Sequence, residues 1–198
     1  MVHSFLSQTR QGDLSKEGVL FTAKSYLSKL LYLALVLSLP GNMSAAADSS
    51  SPGILKAPDM ANLIPATVFF RGQVASVQAR NSGGVKLADG MLVLSALVDT
   101  SGYSTAVQQK YQGYFITEVA LDINGHTLKP GAYGVGFVEG NKFLVMDLGA
   151  HDLFTASGVH DTELKRPTPL QVLADTVPNR YRLYINRNYV VFSPAPGT

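Results

Sequence analysis

Two His-Asp pairs stand close together near the middle of the C-terminal half: His151-Asp152 and His160-Asp161, the second followed by Thr162-Glu163. Imidazole and carboxylate both bind zinc, manganese or iron at neutral pH. A loop could fold the two pairs toward each other, with Asp147 as a fifth ligand. The spacing follows no strong metal signature, since there is no H-E-x-x-H and no H-x-H followed by Glu. Polar residues in a long connection also serve as caps or solvated groups. A metal-binding protein or metal-dependent enzyme using the 147–163 segment is therefore one of two functional expectations.

The other comes from the C-terminal stretch "NRYRLYINRNYVVF". Strand alternation puts Arg180, Arg182 and Tyr184 on one face and Tyr181, Leu183 and Ile185 on the other. Arg187 and Tyr189 follow the turn. A tyrosine ring stacks and a guanidinium donates in a fork, so this face suits a protein or carbohydrate surface. Tyr103, Tyr111 and Tyr114 could form a second stacking platform or seal one end of the fold.

Catalytic sets are harder to find. No G-x-S-x-G elbow occurs, and a β-rich chain lacks the strand-to-helix turn that such an elbow needs. Serine, histidine and aspartate are spread so widely that no particular triad stands out. Glycosidic hydrolysis needs two carboxylates across a cleft. Beyond residue 47 only Glu118, Glu139 and Glu163 remain as glutamates. Glu139 reads as a hairpin tip, and Glu118 as the solvent-facing member of its strand. His126 follows a turn and receives no role. There is no cysteine, which removes disulfides, thiolate zinc sites and a thiol nucleophile together. No catalytic residue is assigned and no cofactor is expected.

The elements that must position these residues begin after a leader. "LLYLALVLSLP" is a short apolar run preceded by Lys24 and Lys29 and followed by "SAAADSSSPG". This order describes a secretory signal peptide with cleavage near Ala47/Asp48. The run falls short of the about 20 residues a membrane span needs, so no span is expected in the mature form. The segment before the run is long, and Val19 or Leu20 could be the true start. No Arg-Arg pair or lipoprotein cysteine accompanies it. Residues 1–47 are thus expected to be removed, and the protein to be periplasmic or secreted. The remaining chain holds twelve basic and twelve acidic residues. A neutral domain has no general field to draw in nucleic acid or anionic lipid.

Residues 48–63, "DSSSPGILKAPDMANL", read as a flexible linker, and 64–196 as a single β domain. Short segments rich in Val, Ile, Phe and Tyr follow, separated by Gly, Asn and Asp. "ATVFFRG", "MLVLSALVD", "GYFITEVALDI", "GAYGVGFVEG", "KFLVMDLG", "RYRLYIN" and "NYVVFS" are expected as strands. Asn81-Ser82-Gly83-Gly84 predicts a hairpin between Val74–Arg80 and Val85–Leu87. "STAVQQKYQ" is the one helical stretch, with Ser104 as N-cap. "TPLQVLAD" is open between strand and short helix.

"INGHTLKPGAYGVGFV" reads as a sheet corner: Asn124-Gly125 and Pro130-Gly131 are turns, and Gly134 and Gly136 leave room for an aromatic or another backbone. It lacks the order of a phosphate-binding loop. About eight strands with at most one or two short helices predict an antiparallel β-sandwich. The long 149–169 connection suits a crossover between sheets. A lipocalin-like barrel carrying an apolar ligand is the alternative.

The segments "VDTSGYS" (98–104), "KYQGYFITEV" (110–119), "LKPGAYGVGF" (128–137), "RPTPLQV" (166–172) and "YRLYINRNYVVF" (181–192) resemble a family of exported bacterial proteins of uncharacterised function. They extend across most of the mature domain. L-x-P-G-x-Y by itself occurs in many β-sandwich modules. The resemblance implies an exported β domain and transfers no catalytic residue.

Overall fold

The structure, a computed structural model, describes residues 53–196. The expected signal peptide lies outside the described residues. In chain order the strands are β1 (Gly53–Leu55), β2 (Thr67–Phe70), β3 (Gln73–Lys86), β4 (Leu92–Val98), β5 (Gly113–Thr117), β6 (Leu121–Ile123) and β7 (His126–Leu128). They continue as β8 (Gly131–Val138), β9 (Lys142–Met146), β10 (Asp152–Ser157), β11 (Val159–His160), β12 (Leu170–Ala174), β13 (Tyr181–Ile185) and β14 (Asn188–Pro194). Sheet one has the order β1-β3-β4-β5-β8-β9-β10, with β2 also on β3. Sheet two has the order β12-β13-β14-β6-β7, with β11 also on β14. Every pairing is antiparallel and neither sheet closes on itself. The fold is an all-β sandwich, not a barrel.

The strands outnumber the expected eight because the chain changes sheet in mid-pattern. "GYFITEVALDI" keeps its alternation through Thr117 and then leaves sheet one. Thr117 Oγ1 bonds the Val119 carbonyl at 2.7 Å, and Glu118 accepts the Leu92 N–H at 2.7 Å. The chain resumes as β6 in sheet two. It returns through Pro130 and crosses again at Gly158, where a Cβ would strike Phe137 and the Asn141 carbonyl. The last crossing lies in the connection expected to carry it.

The glycine-rich corner forms as expected. Asn124 and Gly125 take positive φ of 48° and 92° between β6 and β7. The Tyr133 hydroxyl donates to the Lys129 carbonyl at 2.9 Å, closing the corner over Gly131. Gly134 lies beneath the Phe70 ring, and Gly136 beneath the Lys110 carbonyl.

The expected 74–87 hairpin is not formed. Residues 73–86 run as one strand with a register shift between Val77 and Ser82. Gly83 and Gly84 are there for close approach rather than for a turn. A Cβ on Gly83 would lie 3.3 Å from the Val172 nitrogen, and one on Gly84 would lie 2.5 Å from the Val93 carbonyl. The turn that does form is Arg71-Gly72, with φ of 48° and 77°, between β2 and β3.

Part of the expected linker is also structured. Gly53–Leu55 pairs with Gly84–Lys86, and the short helix Ala57–Met60 seats a fully buried Met60 against Ile64, Leu94 and Ala96. The apolar Ile54, Leu55 and Met60 carry that docking, which the surrounding Ser, Pro and Ala obscured.

Between the sheets lie Phe115, Leu121, Ile123, Phe143, Leu183 and Phe192, all fully buried. This filled interior leaves the apolar-ligand barrel without support. The outer face of sheet one is covered as well. Phe70, Tyr103, Tyr111 and Tyr114 pack over Leu144 and Met146, beside the short helix Thr105–Gln108. Ser104 occupies the N-cap position with extended backbone but makes no side-chain cap bond. Sheet one therefore needs apolar residues on both faces, which is why "MLVLSALVD" reads as an almost continuous apolar run.

Candidate functional site

The two His-Asp pairs are divided between the sheets. His151 and Asp152 sit at the start of β10, and His160 ends β11 on sheet two. The extended β10 separates them by on the order of 17 Å of chain. Each group has its own partner. His151 Nδ1 meets Asp147 at 2.9 Å and its backbone N–H donates to the same carboxylate. Those backbone and side-chain hydrogen bonds hold the Asp147 carboxyl below its ordinary range. Asp152 pairs with Lys110 at 2.8 Å, His160 Nδ1 meets Asn188 Oδ1 at 2.7 Å, and Asp161 accepts the Tyr184 hydroxyl at 2.8 Å. Among the described residues, no three His, Cys, Asp or Glu side chains converge as metal ligands would.

The Arg/Tyr residues do come together, on and beside β13 and β14, but most of their polar groups are engaged by other residues of the domain. Tyr184 is 1% exposed. Its ring lies 4.9 Å from that of Tyr189, and the Arg182 guanidinium sits 4.9 Å from the Tyr189 centroid. Arg187 Nη1 donates to the carbonyls of Asp161, Thr162 and Leu164 at 3.1–3.3 Å. Tyr184 and Arg187 thus fasten the 161–164 connection to sheet two. That connection covers the polar face the alternation predicted.

Asp175, unmarked in the sequence reading, anchors the two remaining arginines. Its carboxylate accepts Arg182 Nε and Nη2 at 2.8 and 2.6 Å, and lies 3.3 Å from Arg180 Nε. Burial works against its charge, yet the Arg182 and Thr176 hydrogen bonds and the two guanidinium charges hold its carboxyl below the usual range.

Two of the concavities lie at opposite ends of the sandwich. At the end where β4 and β13 begin, a groove of about 480 Å³ is walled by Asp89, Val119, Asn179, Arg180, Tyr181 and Pro194. This end carries charge. The Arg180 side chain remains 43% exposed despite its contact with Asp175.

At the end where β4 and β13 finish, a second pocket of about 390 Å³ is walled by uncharged residues. They include Tyr111, Gln112, Phe137, Asn186 and Asn188. Gln112 spans the Phe137 backbone, accepting its N–H and donating to its carbonyl, both at 3.0 Å. The Tyr111 hydroxyl is buried without a hydrogen-bond partner among the described residues.

The tyrosine platform considered from sequence is therefore internal. Tyr111 stacks on Phe70 at 3.7 Å, and the Tyr103 hydroxyl donates to the Phe70 carbonyl at 3.0 Å. Sequence reasoning passed over Gln112, Asn186 and Asn188 because neutral amides at strand ends look like ordinary turn residues. Comparison of the chain with protein-family models, curated proteins and solved structures found no match in any of the three.

Proposed function

We propose that the mature domain is an exported, non-enzymatic binding module that recognises a protein or carbohydrate surface at the charged end of the sandwich. One observation carries the reading. Of the five Arg/Tyr candidates, Arg180 lines a concave groove with an exposed guanidinium, whereas Arg182, Tyr184, Arg187 and Tyr189 engage one another or the 161–164 connection. Beside Arg180 stand the Asp89 carboxylate, the Asn179 amide and the Tyr181 ring. A cation, an acceptor, an amide and an aromatic within one concavity suit a polar surface bearing both signs. Arginine and tyrosine are also the residues that most often anchor protein interfaces. The leader-like residues before Asp48 and the resemblance to an exported family support export.

The test is capture from the exported proteins and glycans of the native host. Wild-type domain and the double variant Arg180→Ala/Tyr181→Ala are used as baits at equal stability. A partner held by the wild type and lost by the variant is the expected result. Identical capture by both baits would remove the groove from the function.

A further inference from the structure

The β2–β3 turn, the short helix Thr105–Gln108 and the turn between β9 and β10 border a pocket of about 280 Å³, which shares no lining residue with the Arg180 groove. Its lining includes three side chains that carry or can take a positive charge, Arg71, Lys110 and His151, and no carboxylate. The rest is largely apolar: Val107 and Met146, both buried, with Ala106 and Ala150. Two of the three basic groups are already matched. Lys110 Nζ meets Asp152 at 2.8 Å and His151 Nδ1 meets Asp147 at 2.9 Å, and neither aspartate lines the pocket. The Arg71 guanidinium makes no ion pair or hydrogen bond among the described residues.

The second observation is backbone strain. Arg71 and Ala150 take positive φ of 48° and 68°, and every other non-glycine residue with positive φ among the described residues is an asparagine. Asparagine enters that region readily, whereas arginine and alanine do so at a cost. Both strained residues line this one pocket. The Arg71 N–H donates to the Leu148 carbonyl at 2.7 Å, and the Ala150 N–H to the Asp147 carbonyl at 3.0 Å. The first bond brings the hairpin tip that carries Arg71 against the turn that carries His151. Strain enforced in this way gathers at ligand sites.

We infer that this pocket binds a small monocarboxylate, with Arg71 as its counter-charge and Val107 and Met146 beneath its apolar body. Charge sets the class. Lys110 and His151 each have an aspartate, which leaves Arg71 as the uncommitted charge, and a monoanion matches it. A dianion would bring surplus negative charge near Asp147 and Asp152. The guanidinium fork fits a planar carboxylate in two parallel bonds. Volume sets the size: about 280 Å³ lies just below the roughly 300 Å³ at which small-molecule sites begin. A free acid and a peptide C-terminus present the same group, and the experiment separates them.

The test is an NMR titration of the protein with butyrate, benzoate, N-acetyl-alanyl-valine, neutral butyramide and inorganic phosphate, each to tens of millimolar at constant ionic strength. At least one carboxylate is expected to shift the backbone amides of Lys110, Gly149 and Ala150, and butyramide to leave them in place. Tighter binding of the dipeptide than of the free acids would assign the carboxylate to a chain terminus, and weaker binding to a free acid. Arg71→Asn removes the guanidinium and suits the positive φ. It is expected to weaken the carboxylate at least tenfold, with an unfolding midpoint equal to or above the wild type. Arg180→Ala should bind it as the wild type does, which separates this site from the charged groove. The inference is overturned if no carboxylate shifts those amides, if butyramide or phosphate binds as tightly, or if Arg71→Asn binds as well as the wild type.

Discussion

The two ends of the sandwich solve the same problem differently. At the charged end, two arginines share the mostly buried Asp175, and their outer surfaces remain in water. At the neutral end, amides bridge backbone groups and a tyrosine hydroxyl is enclosed in aromatic packing. Charge is tolerable near solvent, where water screens it and completes its hydrogen bonds. Deep in the packing, a neutral and hydrogen-bonded group such as the Gln112 amide costs least, and an unbonded one such as the Tyr111 hydroxyl works against the fold. The charged end is therefore held by ion pairs and the neutral end by backbone closeness.

The sharpest break in that contrast is Gly136→Ala. Its Cβ would run into the Lys110 carbonyl, a backbone atom with little freedom to move. We expect a loss of about 3 kcal/mol or more in urea denaturation, at the upper end of overpacking effects. A loss near zero would mean that residues 109–112 do not hold the neutral end.

Next in size is Asp175→Asn at the charged end. Losing the charge-assisted bonds to Arg182 should remove about 1.5–2 kcal/mol, the lower part of the range because water reaches both arginines. The pH dependence sharpens the assignment. The folded carboxyl titrates below its unfolded value of about 3.9. Its contribution is present above that unfolded value and is lost as pH falls through the lower folded one. The midpoint of the wild type should thus fall more steeply than that of Asp175→Asn between pH 5 and pH 2 (approximately). Parallel curves would show that the pair adds no stability.

The smallest expected effect concerns the His-Asp pairs. Zinc, manganese, iron or calcium, added after chelator treatment, should leave the unfolding midpoint unchanged in wild type and in His160→Ala. A specific site filled at a hundredfold over its dissociation constant adds about 2.7 kcal/mol. That would raise the midpoint by roughly 5–10 °C in a domain of this size. Such a shift, lost in His160→Ala, would restore the metal reading of the 147–163 segment.

Local pattern was enough for several elements. Alternation located β5 and β13, the Asn124-Gly125 signal located a hairpin turn, and the spacing of Gly134 and Gly136 announced a close approach. It misled at Asn81–Gly84, because glycine reads the same whether the backbone needs positive φ or only lacks room for a Cβ. It also missed β1 and the helix at Ala57–Met60. Their stability comes from β3 and β4, which lie far along the chain. Alternation likewise grouped Arg180, Arg182 and Tyr184, yet it could not show that Asp175 and Asp161 would occupy them.

What the sequence by itself determined is the class of fold and, in strands such as β5 and β13, the face on which the side chains stand, since strand period and turn chemistry act over a few residues. Which sheet each strand joined, and which polar groups were left free at either end, was decided only in the tertiary structure. Those outcomes depend on partners brought together from distant segments: Lys110 over Gly136, Asp161 against Tyr184, Phe70 on Tyr111.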